Sequence, residues 1–172
     1  MQLLRALKLL TALLMVFSAL ANTKPVPRFV TIKSNKVNTR VGPGLQYPIA
    51  SVIVNKSEPV EVIAELENWR QIKDYDKQIS WVHVSLLSPK RSVIIASGEQ
   101  ILLYKTPFCN SAVVARVWPL VRCDFLNYCT TKVCKVKCND IHGWIERKHL
   151  WGIYDHECVE VSVLQLYLKT IF

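Results

Sequence analysis

Glycine is scarce in this sequence: five occur in 172 residues. No G-x-G-x-x-G or G-x-x-x-x-G-K-[ST] run is present, so a nucleotide-phosphate cradle has no support. No cysteine precedes Cys109, which confines thiol chemistry to the later part of the chain. Beyond residue 28 no stretch sustains a capped 3.6-residue apolar repeat, which argues against a helical body. The length excludes frameworks such as the (β/α)₈ barrel, which needs roughly 200 residues or more. Acidic residues are also short, 13 Asp and Glu against 22 Lys and Arg, for a formal charge of +9. Apolar residues are plentiful: 51% are hydrophobic and 20% charged, the composition of a chain that builds a core.

The amino end reads MQLLRALKLLTALLMVFSALA. Arg5 and Lys8 form a positive start, Leu9 to Phe17 an apolar stretch, and Ala19-Leu20-Ala21 a small-residue cleavage site. Residues 1–21 therefore read as a signal peptide cleaved before Asn22. An uncleaved anchor is the other reading, but the apolar run falls short of the about 20 residues a membrane span needs. No Cys follows Ala21, so the attachment site of a lipoprotein is missing. The expectation is an exported protein, periplasmic or secreted, with about 150 residues after cleavage, enough for one ordinary domain or two small ones.

The remainder reads as short strands with punctuation. Phe29 to Lys33, Ser51 to Val54, Val60 to Ile63, Trp69 to Lys73 and Trp81 to Val84 are rich in β-branched and aromatic residues, and Gly42-Pro43-Gly44 marks a turn. An internal repeat emerges on shifting the chain by 64 residues. Val37 then meets Ile101, Pro43 meets Pro107, Ile49 meets Val113, and Ile72-Lys73 meets Val136-Lys137. With one residue lost in a hairpin, Trp81-Val82 meets Trp144-Ile145 and Leu87 meets Leu150. This is the mark of a duplicated module. A unit of about 60 residues is marginal alone, so docking of the two copies is expected.

The run Val37-Asn38-Thr39-Arg40-Val41-Gly42-Pro43-Gly44-Leu45-Gln46-Tyr47-Pro48-Ile49 resembles the N-V-R-x-G-P-G-x-x-Y-P-V signature of bacterial SH3-like (SH3b) domains. Asn68 to Lys73 resembles that family's G-W-x-x-V segment, and Ser80 to Leu87 its closing G-W-V-x-x-x-x-L. Asn68 and Ser80 stand where the family has glycine, which puts those two turns in question. The resemblance implies an all-β chain of two tandem small SH3-like barrels, each a strongly bent antiparallel barrel of five or six strands. Module one spans 28–88, a divergent Cys-rich module two spans 91–151, and an apolar tail spans 152–172. In module two the glycine turn has become Lys105-Thr106-Pro107-Phe108, and Val133 stands at the Trp69 position. The pair is similar to exported tandem SH3-like proteins of Gram-negative bacteria.

Strand alternation puts Trp69 on the face opposite Ile72, and Trp81 and His83 on the face opposite Val82. If Ile72 and Val82 face the core, the rings face out and, with Tyr47 from the turn, offer a shallow apolar platform for a peptide or a sugar face. Asn38 and Arg40 beside the turn would orient the ligand's carbonyl or carboxylate groups. The alternative is that these rings cap the barrel ends or lie buried between modules. The second copy, without the Trp69 counterpart and the glycine turn, reads better as a structural or docking module.

Six cysteines stand at Cys109, Cys123, Cys129, Cys134, Cys138 and Cys158. In an oxidising compartment they are disulfide candidates first, and 15 connectivities are open. Local pairs within 123–138 would staple a hairpin, while Cys109 or Cys158 would tie an edge or the tail. The C-x₂-C pairing of common zinc sites is missing, so no metal is assigned. Cys-His catalysis would need a cleft joining nucleophile and base. With both modules assigned, no room remains for a catalytic domain, so the chain reads as non-enzymatic and without a cofactor.

Residues 28–88 hold eight Lys and Arg against six Asp and Glu; residues 90–150 hold ten against four. The basic excess thus sits on module two, which is either a solvated face or a contact for anionic lipid, acidic polymer or an acidic partner. Nucleic acid is not expected outside the cytoplasm. In the tail Leu164, Leu166 and Leu168 alternate, suiting a strand packed on a module or offered to a partner. The reading is a non-catalytic binding protein contacting cell-wall peptide, glycan or an envelope protein. The alternative is an assembly protein acting through module two and the tail.

Overall fold

The computed structural model describes residues 24–108 and 111–158. The signal peptide expected at 1–21, Cys109 and the alternating tail beyond Cys158 lie outside the described residues. Among the described residues the chain is all-β, in two seven-stranded antiparallel sheets. The first contains β1 (Arg28–Ile32), β2 (Val37–Arg40), β3 (Ile49–Ile53), β4 (Pro59–Leu66), β5 (Trp69–Lys73), β6 (Ile79–His83) and β7 (Leu87–Ser88). The second contains β8 (Ser92–Ile95), β9 (Ile101–Tyr104), β10 (Val113–Val117), β11 (Arg122–Cys129), β12 (Val133–Cys138), β13 (Ile141–Glu146) and β14 (Leu150–Trp151). The first runs β3-β2-β6-β5-β4-β1-β7 and the second β10-β9-β13-β12-β11-β8-β14. The two orders are the same permutation of seven strands.

The expected barrels of five or six strands need correction in one respect: neither ladder closes. β3 and β7 end the first sheet without pairing to each other. Ile53 of β3 and Leu87 of β7 instead pack on one core of Val30, Ile32, Val37, Val60, Val62, Ile72 and Val82. Side chains rather than ladder hydrogen bonds fill the space between the ends. The second sheet gathers Val93, Ile95, Leu103, Phe125, Val136 and Ile145 in the same way. Period-two alternation explains the facing. In β12, Cys134, Val136 and Cys138 point inward while Val133, Lys135 and Lys137 do not.

The departures from family glycines have local explanations. Asn68 lies in a two-residue hairpin turn between the paired Leu66 and Trp69, where Glu67 takes the left-handed conformation (φ 49°). Ser80 is buried in β6. Its counterpart in the second sheet is Gly143, where a Cβ would lie 2.4 Å from the Leu103 side chain and 3.0 Å from the Tyr104 carbonyl. The first sheet has the smaller Thr39 at the Leu103 position, fully buried and bonded to the Ser51 hydroxyl at 2.7 Å. Leucine with glycine in one copy is replaced by threonine with serine in the other, a near-conservation of volume.

The sheets dock through polar groups as well as rings. Arg122 Nε donates to Glu58 Oε2 at 2.6 Å, the Tyr154 hydroxyl donates to Glu61 Oε1 at 2.7 Å, and the Thr31 and Ser92 hydroxyls meet at 2.8 Å. Phe29 packs on Trp151 and Tyr154, with ring centroids 5.1 and 4.7 Å apart, and Tyr75 meets Trp151 at 5.6 Å. Residues 152–158 form a strap that brings Tyr154 to the first sheet. Arg91 fastens it with a two-pronged bond to Glu157 (2.6 and 3.0 Å) and a bond to the Gly152 carbonyl (2.7 Å). Burial alone would raise the Glu157 carboxyl, but the Arg91 guanidinium and the Tyr154 N–H hold it below its ordinary value. Burial, and then the hydrogen bond to Glu61, pushes the Tyr154 hydroxyl far up, so it remains a donor.

Two disulfides staple the β11–β12 hairpin. Cys123–Cys138 joins the strands at the open end and Cys129–Cys134 closes the turn, with Cα atoms 4.3 and 4.0 Å apart. Cys158 is a free thiol whose Sγ lies 3.1 Å from Cys129 Sγ.

Candidate binding clefts

The face of the first sheet opposite its core carries a cleft of about 380 Å³. Alternation along β2 buries Val37 and Thr39 and turns Asn38 outward. The sheet order places β6 beside β2, and β5 beyond β6, so Trp69 and His83, paired across the ladder, stand opposite Asn38 and Arg40. The Trp69 and His83 rings meet edge to face at 5.5 Å. His83 Nδ1 accepts the Ser85 N–H at 3.3 Å and lies 2.8 Å from the Ser85 hydroxyl. In the neutral ring Nε2 is therefore the donor.

Asn38, Arg40 and Trp69 line this cleft; Tyr47 and Trp81 do not. The Tyr47 ring lies against Gly42, where an added Cβ would come within 2.5 Å of it. That close approach is why this turn needs a glycine. Arg40 donates to the Tyr47 carbonyl at 2.6 Å, which fixes the turn to β2. Trp81 is half-buried on the outer face, paired with Arg40 and Gln71. Lys36, Val37, Leu45, His83 and Leu86 complete the lining, and Lys36 and Leu45 carry no signal in the sequence that marks them for it. The alternation that turns Trp81 outward also turns His83 outward, a signal that was present. Leu45 is 75% exposed at the turn tip, and no periodicity marks it.

A second cleft, of about 500 Å³, occupies the corresponding place on the second sheet, where β9, β12 and β13 take the parts of β2, β5 and β6. Tyr104 stands at the Arg40 position, Val133 at that of Trp69 and Glu146 at that of His83. Trp144, only 2% exposed, forms its floor and meets Tyr128 edge to face at 5.3 Å. The Lys135 ammonium stands 5.8 Å from the Trp144 ring centroid. Lys132, Arg147 and Lys148 line the rim; Lys148 bonds Glu146 at 2.5 Å, and Arg147 pairs with Asp155. The Lys148 bond holds the Glu146 carboxyl below its ordinary range.

The sulfurs of Cys129, Cys134 and Cys158 lie within 4.8 Å of one another. Two are joined to each other, which leaves one thiol and no donor set for a metal. The Cys158 thiol has Cys129 Sγ and the Tyr154 carbonyl as partners, with no histidine among them.

Residues 33–89 match the bacterial SH3 domain family, a stretch that includes every lining residue of the first cleft. No curated protein matches the chain. Among solved structures it is similar to NlpC2 and NlpC1 from Trichomonas vaginalis, each at 11% identity with a TM-score of 0.34. The alignments cover 81% and 76% of the chain, and 52% and 47% of those proteins. The chain thus spans about half the length of the two structures.

Proposed function

We propose that the chain is an exported, non-catalytic binding protein that holds a cell-wall peptide or glycan, or an extended segment of an envelope protein, in the cleft of its first sheet. One observation carries the reading: an aromatic ring, an imidazole and the Asn38 amide converge on one concavity within the segment that matches the bacterial SH3 domain. A tryptophan offers a flat apolar face to a sugar ring or side chain, and neighbouring polar groups fix the orientation of what stacks there. The amino-terminal sequence supports export, and the match of residues 33–89 to a small bacterial SH3 module supports a binding role.

The test is co-sedimentation of the mature protein with purified peptidoglycan. Binding is expected, and Trp69→Ala is expected to weaken it at least tenfold, the usual cost of losing a central aromatic anchor. Unchanged binding by that variant would remove the cleft from the account. Hydrolysis of the wall material, abolished in Cys158→Ser, would overturn the non-catalytic reading.

A further inference from the structure

We infer that the second sheet carries its own ligand site, and that it takes a short acidic peptide: an apolar side chain against Tyr104 and Val133 and a carboxylate at Lys132. From sequence this copy reads as a docking module, because Val133 replaces the tryptophan and the glycine turn is gone. The structure nonetheless keeps a cleft at this place. The second concavity is about 500 Å³ against 380 Å³ for the first, and its aromatic lining is Tyr104, Phe108 and Trp144 in place of a Trp69 counterpart. The docking surface between the modules lies elsewhere, on Phe29, Trp151 and Tyr154, so it does not occupy this cleft.

Charge decides the class of ligand. Three cations and one carboxylate line the cleft. Glu146 is taken by Lys148 and Asp155 by Arg147, while the exposed Lys132 ammonium meets no carboxylate among the described residues. Arg147 Nε, shielded from solvent, meets no acceptor either. Lys135 adds a further positive charge over the Trp144 ring. The wall is held in place because the Arg147 N–H donates to the Lys132 carbonyl at 2.8 Å. A flat anionic membrane does not enter a concavity, and an acidic glycan could lay a ring face on Tyr104 but has no apolar side chain to fill the space beside Val133 and Pro107. A peptide with alternating acidic and apolar side chains meets both demands.

The full mature chain would be titrated by fluorescence anisotropy with a labelled peptide of alternating glutamate and phenylalanine. Its glutamine–phenylalanine counterpart and unlabelled polygalacturonate serve as competitors. Binding is expected that weakens with salt, about tenfold with Lys132→Glu and severalfold with Lys132→Ala, and is unchanged by Trp69→Ala. Lys132 is exposed, and an unaltered melting temperature in both variants confirms that folding is intact. Three results would overturn the inference: equal competition by the glutamine peptide, Lys132→Glu without effect, or polygalacturonate displacing the probe at lower concentration than the acidic peptide itself. Loss of binding in Trp69→Ala would assign the peptide to the first cleft and also overturn it. Failure here leaves the wall-binding proposal untouched, because that rests on Trp69.

Discussion

Arg91→Ala should remove the fastening between the modules. The guanidinium, with 18% of its side chain exposed, makes two bonds to Glu157, whose side chain is 23% exposed, and one to the Gly152 carbonyl. It also lies 5.7 Å from the centroids of Phe29, in the first sheet, and Phe125, in the second. Truncation strands a largely buried carboxylate and a carbonyl, for which roughly 2–4 kcal/mol is expected, since breaking one partner of a buried pair costs more than the pair contributes net. For a chain of this size that is a fall of about 5–15 °C in Tm. The assay is urea unfolding followed by tryptophan fluorescence, which reads Trp151 at the junction. A double-mutant cycle with Glu157→Gln should return a coupling of roughly 1–3 kcal/mol. A loss below about 0.5 kcal/mol, the range of ordinary surface substitutions, would show that the strap is not held by this pair.

Three other outcomes follow from the same contacts. Glu157 is held below its ordinary value, so its pair stabilises the fold fully above pH 4.5 and loses that contribution as pH falls and the carboxyl protonates; the stability gap between wild type and Glu157→Gln should narrow on acidification, and a gap that widens would refute the assignment. Gly152→Ala should cost roughly 1–3 kcal/mol by thermal melting, because Gly152 has φ +111° and its Cβ would stand 2.9 Å from the Ser92 carbonyl; an unchanged melt would contradict this. Replacing Cys123 and Cys138 together by serine should cost about 3 kcal/mol for a closed loop of 15 residues, and peptide mapping that pairs either residue elsewhere would remove the basis for that figure.

Much of the fold was legible because two-residue periodicity and the internal repeat depend on side chains that each strand buries for itself. Ile72 and Val82 inward, with Trp69 and His83 outward, needed no tertiary information. The open ladder was not legible, because whether β3 meets β7 depends on Ile53 and Leu87 filling the gap between them rather than on either strand's own pattern. The docking surface was hidden for a different reason. Glu58, just before β4, and Glu61 within it are buried carboxylates whose partners Arg122 and Tyr154 come from the second module, which neither residue's own segment reveals. Seven residues of the segment read as tail, 152–158, turn out to be part of that junction.

The clefts divide along the same line. The residues that place a group on the outer face of one strand could be read singly, but which of them share a concavity is set by the order β2-β6-β5, a non-local fact. Turn tips such as Leu45 carry no periodic signal at all. Substitution between the copies is the more informative comparison. Thr39 with Ser80 replaces Leu103 with Gly143 inside the sheets, and the core volume is kept. On the outer face Trp69 has become Val133, while Phe108 stands at the Gly44 position and also lines the second cleft, so the aromatic surface there is redistributed rather than conserved in place. A core position must refill what it loses, because a cavity there costs stability. A surface cleft carries no such penalty, so the two copies can differ there in which residues supply the aromatic lining without loss of stability.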